Sequence, residues 1–146
     1  MIEKEVAMQL KESHQRITRI MQQKIDEYGI KFGQLHLMML IDKYPEANQK
    51  DLAKEMRFTE GAMSCMVKHL LKLNMIEQIP LEIDMRYNRL VLTKNGQSMI
   101  DDCKEDLYIK YRDMFKCFSE DELVELNRYL IKINKNLDSM DKSNEE

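Results

Sequence analysis

Glycine, proline and tryptophan are scarce in this chain of 146 residues, which holds four Gly, two Pro and no Trp. So few turn-formers leave little room for the many reversals of a β-sandwich or barrel, and none for a collagen-like or low-complexity stretch. Helix is therefore expected to dominate. Cys65, Cys103 and Cys117 are an odd number without CxxC spacing. Neither a disulfide framework nor a zinc ribbon is indicated, and reduced thiols are expected. No apolar run approaches the roughly 20 residues of a bilayer span, and the opening Met-Ile-Glu-Lys-Glu lacks a signal-peptide core. A cytoplasmic protein without a membrane partner is expected. His14, His36 and His69 are too scattered for a metal site, and GxSxG, P-loop and HExxH patterns are missing. No enzyme, metal or cofactor is expected.

What the chain does have is apolar periodicity on a charged background, 43% hydrophobic and 34% charged, at a length that suits one domain with a real core. Residues 3 to 28 read as a long helix with a seam of Val6, Leu10, Ile17, Ile20, Met21 and Ile25, stopped by Gly29. Lys31 to Lys43 is apolar nearly all round, as a buried helix is, and Pro45 ends it. Thr93 starts a second long helix through Met99, Ile100, Cys103, Leu107, Ile109, Met114 and Phe115. Ser119-Glu120-Asp121-Glu122 is a capping box that opens a last helix carrying Leu123, Leu126, Leu130, Ile131 and Ile133. From about Asp138 the tail turns polar and is expected to fray. Cys103 and Cys117 lie on apolar faces and are expected in the core, and the thirteen Met read as adaptable packing rather than thioether ligands.

Residues 48 to 96 carry the functional signal. Asn48 can cap a short helix, answered by Asp51, with Leu52, Ala53 and Met56 as its apolar face. Arg57 and Phe58 form a turn. Thr59 suits the N-cap of a second helix whose Met63, Met66, Val67 and Leu70 recur at i, i+3, i+4, i+7 and point inward. Gly61, Ser64, Cys65, Lys68 and Lys72 fall on the opposite face, small and polar residues followed by positive charge, which fits a DNA major groove. Met75 to Ile79 and Tyr87 to Leu92 are β-prone runs flanking Pro80, Glu82, Asp84 and Arg86. Helix, turn, helix and hairpin in this order make a winged helix-turn-helix. Charge agrees: residues 48 to 95 hold eight Lys or Arg against six Asp or Glu, +2, so the rest of a chain of net −3 is −5. Much of that acidity lies between Ser119 and Glu146, where eight acids face four bases.

Leu-Ala-Lys-Glu-Met in the first short helix and Lys-His-Leu-Leu-Lys-Leu-Asn-Met-Ile at the end of the second resemble the MarR family of bacterial transcription regulators. So do Asp84-Met85-Arg86 and Leu92-Thr93-Lys94-Asn95-Gly96, and the resemblance spans nearly the whole chain. It implies a mainly α fold with a small β-wing. Residues 29–96 would be the DNA-binding region, and residues 1–28 and 97–146 long dimerisation helices of one MarR-like domain. The apolar seams of the first and last helices, too extensive for a small winged core to cover, agree with pairing between subunits. The resemblance further implies a homodimer reading palindromic operators, most often as a repressor, with Arg86 at the minor groove and Asp84 orienting it. Gln49, Lys50, Thr59, Gly61, Ala62, Ser64, Cys65, Lys68, Lys72 and Arg89 complete the expected DNA-binding set.

Two positions depart from the family. Many members resemble one another in an arginine where this chain has Cys65, and in a basic residue where it has Met85; both changes remove charge. Glu60 suits the helix dipole, and would either repel phosphate or accept from a cytosine amine. The resemblance also implies a pocket for a small aromatic or phenolic effector, for which His14, Ile17, Met21, His36, Met39 and Tyr111 are the candidate lining. Two alternatives stand beside the effector-released repressor. One is a redox switch in which modification of Cys65 on the DNA face abolishes binding. The other is a winged-helix protein-interaction module.

Overall fold

The computed structural model describes residues 1–81 and 85–144. The chain forms two compact units, residues 1–107 and 108–146. In the first, α1 (Ile2–Asp26) precedes α2 (Phe32–Lys43), α3 (Gln49–Glu55), α4 (Glu60–Lys72), β1 (Ile76–Ile79), β2 (Arg89–Leu92) and the start of α5 (Lys94–Met114). Gly29 turns the chain out of α1 with φ +71°.

The two short helices form for local reasons. Asn48 and Asp51 cap α3 reciprocally: the Asp51 amide donates to Asn48 Oδ1 at 2.8 Å and the Asn48 amide to Asp51 Oδ2 at 3.3 Å. Thr59 Oγ1 accepts from the Ala62 amide at 3.1 Å and starts α4. Both helices end in the same way, with a non-glycine residue in the left-handed region, Arg57 at φ 56° and Asn74 at φ 58°. The Arg57 and Phe58 amides donate back to the Lys54 and Ala53 carbonyls, and those of Asn74 and Met75 to Leu71 and Leu70, two Schellman closures.

The apolar faces meet in one cluster. Leu35, Leu37, Met38 and Ile41 of α2, Leu52 and Ala53 of α3, and Met63, Val67 and Leu70 of α4 are buried together with Ile76, Leu90, Met99, Ile100 and Cys103. The predicted helix apolar all round is this buried α2. The wing is a two-stranded antiparallel sheet with Ile76 opposite Leu92 and Ile79 opposite Arg89. Its strands are shorter than the β-prone runs: Met75 closes α4, and Tyr87 belongs to a 3-10 turn, Met85–Tyr87. A single bridge, Asn48 to Arg89, ties the wing to the start of α3.

Thr93 and Gly96 set the join between wing and α5. Thr93 Oγ1 donates to the Asn74 carbonyl at 2.6 Å and accepts from the Gly96 amide at 2.9 Å, while the Thr93 amide donates to the Met75 carbonyl at 3.1 Å. Gly96 is packed so closely that a Cβ there would lie 2.0 Å from the Met75 carbonyl oxygen. α1 is fastened to α5 by polar contacts. Lys24 Nζ lies 3.0 Å from Asp102 Oδ2 and 3.2 Å from Glu27 Oε2, and the Tyr28 hydroxyl donates to the same Asp102 oxygen. These bonds hold the Asp102 carboxyl below the usual range, and push the Tyr28 hydroxyl up to about 12. Lys104 Nζ reaches Asp42 Oδ2 at 3.0 Å and joins α5 to α2.

The second unit contains the end of α5 and α6 (Glu120–Asn144). The Ser119 and Glu122 capping box forms in both directions, at 3.2 and 3.1 Å. Helix continues through the polar segment expected to fray, as far as Asn144, with Ser139 and Ser143 hydroxyls donating back to the carbonyls of Lys135 and Ser139. α6 has no buried residue. Cys103 is buried as expected, and burial pushes its thiol up. Cys117 is exposed rather than core, because it lies in the turn between α5 and α6.

Two outcomes follow. Gly96→Ala forces the Met75 carbonyl to move and should cost about 3 kcal/mol, the upper end of overpacking penalties, read from denaturant unfolding; a loss under about 0.5 kcal/mol would show that the join yields freely. The low folded-state value of Asp102 means that its contribution to stability is present above its unfolded value near 4 and is lost as pH falls through the folded one. Asp102→Asn should therefore lower the melting temperature at pH 7 and flatten its fall as the pH drops below about 4. Parallel wild-type and mutant curves would remove Asp102 as the source.

Candidate nucleic-acid interface

One surface of the first unit collects most of the predicted DNA-facing residues that the structure describes. On α4, Gly61, Ala62, Cys65, Lys68 and Lys72 are exposed and Ser64 is half-buried, while Met63, Val67 and Leu70 point into the core. The sorting follows from 3.6-residue periodicity: the apolar stripe is used up by packing, and the small and basic residues are what is left to face outward. Lys50 of α3 and Arg86 of the wing flank the start of α4. With Ala53, Glu60, Gly61 and Ser64 they line a small notch where α3, α4 and the wing meet.

The notch has defined electrostatics. Arg86 Nη1 lies 3.6 Å from Glu60 Oε1, with both side chains about half exposed. The ring of Tyr87 lies near two cations, the Lys50 ammonium 5.6 Å and the Arg86 guanidinium 5.9 Å from its centroid. Tyr87 is a functional candidate that sequence reading assigned to a strand; an aromatic residue directly after the wing arginine was the available signal.

Three predicted contact residues have other work in the fold. Gln49 is only 5% exposed. Its Nε2 donates to Ser64 Oγ at 3.5 Å and its Oε1 accepts from Gln78 Nε2 at 3.4 Å, so the amide links α3, α4 and β1 from behind the surface. It is buried because the first helical turn of α3 sits under the wing, where the Gln49 amide donates to the carbonyl of the buried Asn88. Arg89 donates from Nε to the Pro45 carbonyl at 2.7 Å and lies 3.6 Å from Glu46, strapping β2 to the α2–α3 connection. The Thr59 hydroxyl caps α4. Asp84 lies outside the described residues.

The six residues expected to line an effector pocket are dispersed in character. Met21 is buried, Ile17 and Met39 are half-buried, and His14 and His36 are exposed. His14 lines an open groove along α1 with Thr18, Arg19, Gln22 and Asp26. Tyr111 belongs to the second unit. Among the described residues no cluster of three His, Cys, Asp or Glu could hold a metal ion, and no helix is long and apolar enough to cross a membrane.

Comparison with known proteins agrees with this architecture. Residues 31–86, from α2 to the wing arginine, match the model of the MarR family. The chain is 29% identical over 113 residues to the HTH-type transcriptional regulator BilQ of Clostridium symbiosum, covering 77% of this chain and 78% of that protein. Among solved structures, Staphylococcus aureus MarR in complex with salicylate and kanamycin superposes with a TM-score of 0.88 at 16% identity, covering 94% of this chain and 93% of that one. Streptococcus pneumoniae FabT in complex with DNA gives 0.79 at 20% identity, with 94% and 98% covered. The match to the MarR family falls on the segment that builds the notch, and over nearly its whole length the chain shares the fold of these MarR-type solved structures.

Proposed function

We propose that this chain is a MarR-family transcription regulator that binds duplex DNA as a homodimer, placing α4 in the major groove and the wing arginine, Arg86, at the adjacent minor groove. The observation that carries the reading is the outward face of α4. Its small residues, Gly61, Ala62, Ser64 and Cys65, let a helix approach base edges closely, and Lys68 and Lys72 follow where phosphates would lie. Lys50 and Arg86 extend the positive charge on either side of the helix start. Gln49 and Arg89 then act at one remove: the first supports Ser64, and the second anchors the strand that carries the wing.

Exposed apolar side chains support the dimer. Ile2, Val6, Met8, Leu10 and Ile20 on α1 are 37–66% exposed, and so are Val124, Ile131, Leu137 and Met140 on α6, at 46–64%. Faces of this kind on long helices mark association surfaces. A two-fold dimer would bring two recognition helices to half-sites about one DNA turn apart, which calls for a palindromic operator. Repression follows if that operator overlaps a promoter. A small aromatic effector would release it by preferring a dimer whose recognition helices are misspaced, in proportion to its differential affinity for that state. His14, Ile17, Met21, His36, Met39 and Tyr111 remain the proposed lining. The relative captured with salicylate supports an effector of this class. Exposure of Cys65 on the DNA face favours a second reading, in which oxidation of its thiol breaks binding.

The test is binding of the purified protein to its own upstream intergenic DNA across a salt series under reducing conditions. Tight, steeply salt-dependent binding is expected. Arg86→Ala should weaken it by about 1–3 kcal/mol, and Lys68→Ala should lower the slope of log K against log salt by about 0.9. Binding no tighter than to a random duplex, or indifferent to Arg86, would turn the reading towards a protein partner.

A further inference from the structure

Among the described residues, Glu60 is the one carboxylate lining the notch, beside Lys50 and Arg86. It is not needed as a cap, since the Thr59 hydroxyl already satisfies the Ala62 amide. As the first helical residue of α4 it is held at the positive end of the helix dipole, with 57% of its side chain open to solvent. Its Oε1 lies 3.6 Å from Arg86 Nη1, so the wing arginine and the recognition helix are joined through this carboxylate.

Resting on the DNA-binding reading, we propose that Glu60 is a specificity-determining residue that acts against non-specific binding. Any duplex that engages Arg86 at the notch must take it from Glu60. Non-specific binding rests almost wholly on phosphate neutralisation, so it bears this cost in full. A duplex that presents a cytosine amine to the start of α4 gives the Glu60 carboxylate a donor in place of Arg86, so that only there is the cost recovered. The carboxylate therefore widens the ratio of specific to non-specific affinity, a repulsive element of the kind by which selective surfaces reject wrong partners. An exposed pair at this distance is weak enough to be displaced and strong enough to shift an equilibrium a few-fold.

The experiment measures wild type, Glu60→Gln, Arg86→Ala and the Glu60→Gln/Arg86→Ala double variant. Each is tested on a random-sequence duplex, and on duplexes that wild type selects from a randomised pool, across a salt series. Glu60→Gln is expected to tighten the random duplex by about two- to fivefold and to steepen its salt slope by about 0.9. The selected duplex should tighten less, so that the ratio narrows, and the gain should vanish when Arg86 is alanine. Equal tightening of both duplexes, no change, or a gain that survives in the Arg86→Ala background each overturns the proposal. Glu60→Ser, tolerated at a helix start, repeats the test should the Gln variant melt early. If wild type selects no sequence from the pool, the regulator reading fails. The variant cycle on the random duplex still scores the Glu60–Arg86 pair.

Discussion

The Thr93 hydroxyl sits where three elements converge, and the geometry of the functional surface depends on it. It donates to the carbonyl that ends α4 and accepts from the amide three residues into α5, while its own backbone amide holds the carbonyl that precedes β1. One side chain thus fixes the exit of α4, the base of the wing and the entry of α5. Gly96 makes this possible by lacking a Cβ where the Met75 carbonyl passes. Asn74, in the left-handed region with its carbonyl turned to Thr93, completes the corner. The wing and α4 therefore keep one relative orientation, as elements that share a functional surface require.

Behind that surface lies a polar layer rather than apolar packing alone. The Gln78–Gln49–Ser64 chain ties β1, α3 and α4 through side-chain amides, and the Asn88 carbonyl takes the Gln49 backbone amide. Buried polar groups that find partners specify one arrangement, because a slipped one would leave them unsatisfied. On the outer side the same region pairs Glu60 with Arg86, places Lys50 in the same notch, and sets the ring of Tyr87 within about 6 Å of both cations. The net charge of −3 thus says little about this surface: charge is segregated, and what matters is the few groups that share the notch.

The long helices show a different balance. α1 is tied to the core only through its C-terminal part, by Met21, Ile25 and the Lys24–Asp102–Tyr28 contacts, and Val6 and Met8 near its start are exposed. α6 buries nothing although its apolar residues recur at helical spacing. Leu123, Leu126, Leu130 and Ile133 are half-buried, and a helix of that length gains little stability from its own propensity.

Features fixed by neighbours three or four residues apart were legible in the sequence. The caps at Asn48, Thr59 and Ser119, the inward stripe of α4 and the buried α2 all emerge as read, because capping and periodicity are local effects of backbone geometry. The Thr93 to Gly96 spacing was legible only as a family signature, and its reason is contact with residues about twenty positions earlier. Gln49 looked like a surface amide because its neighbours are polar, yet the wing folds over it. Arg89 looked like a phosphate contact, yet the Pro45 carbonyl comes within its reach. The Glu60–Arg86 pairing joins residues 26 positions apart. The sequence by itself determined which helices and strands form and which face of each is apolar. Tertiary structure alone decided which polar side chains are left to face a ligand, because that depends on which distant backbone and side-chain groups fall within hydrogen-bonding distance once the apolar faces are buried.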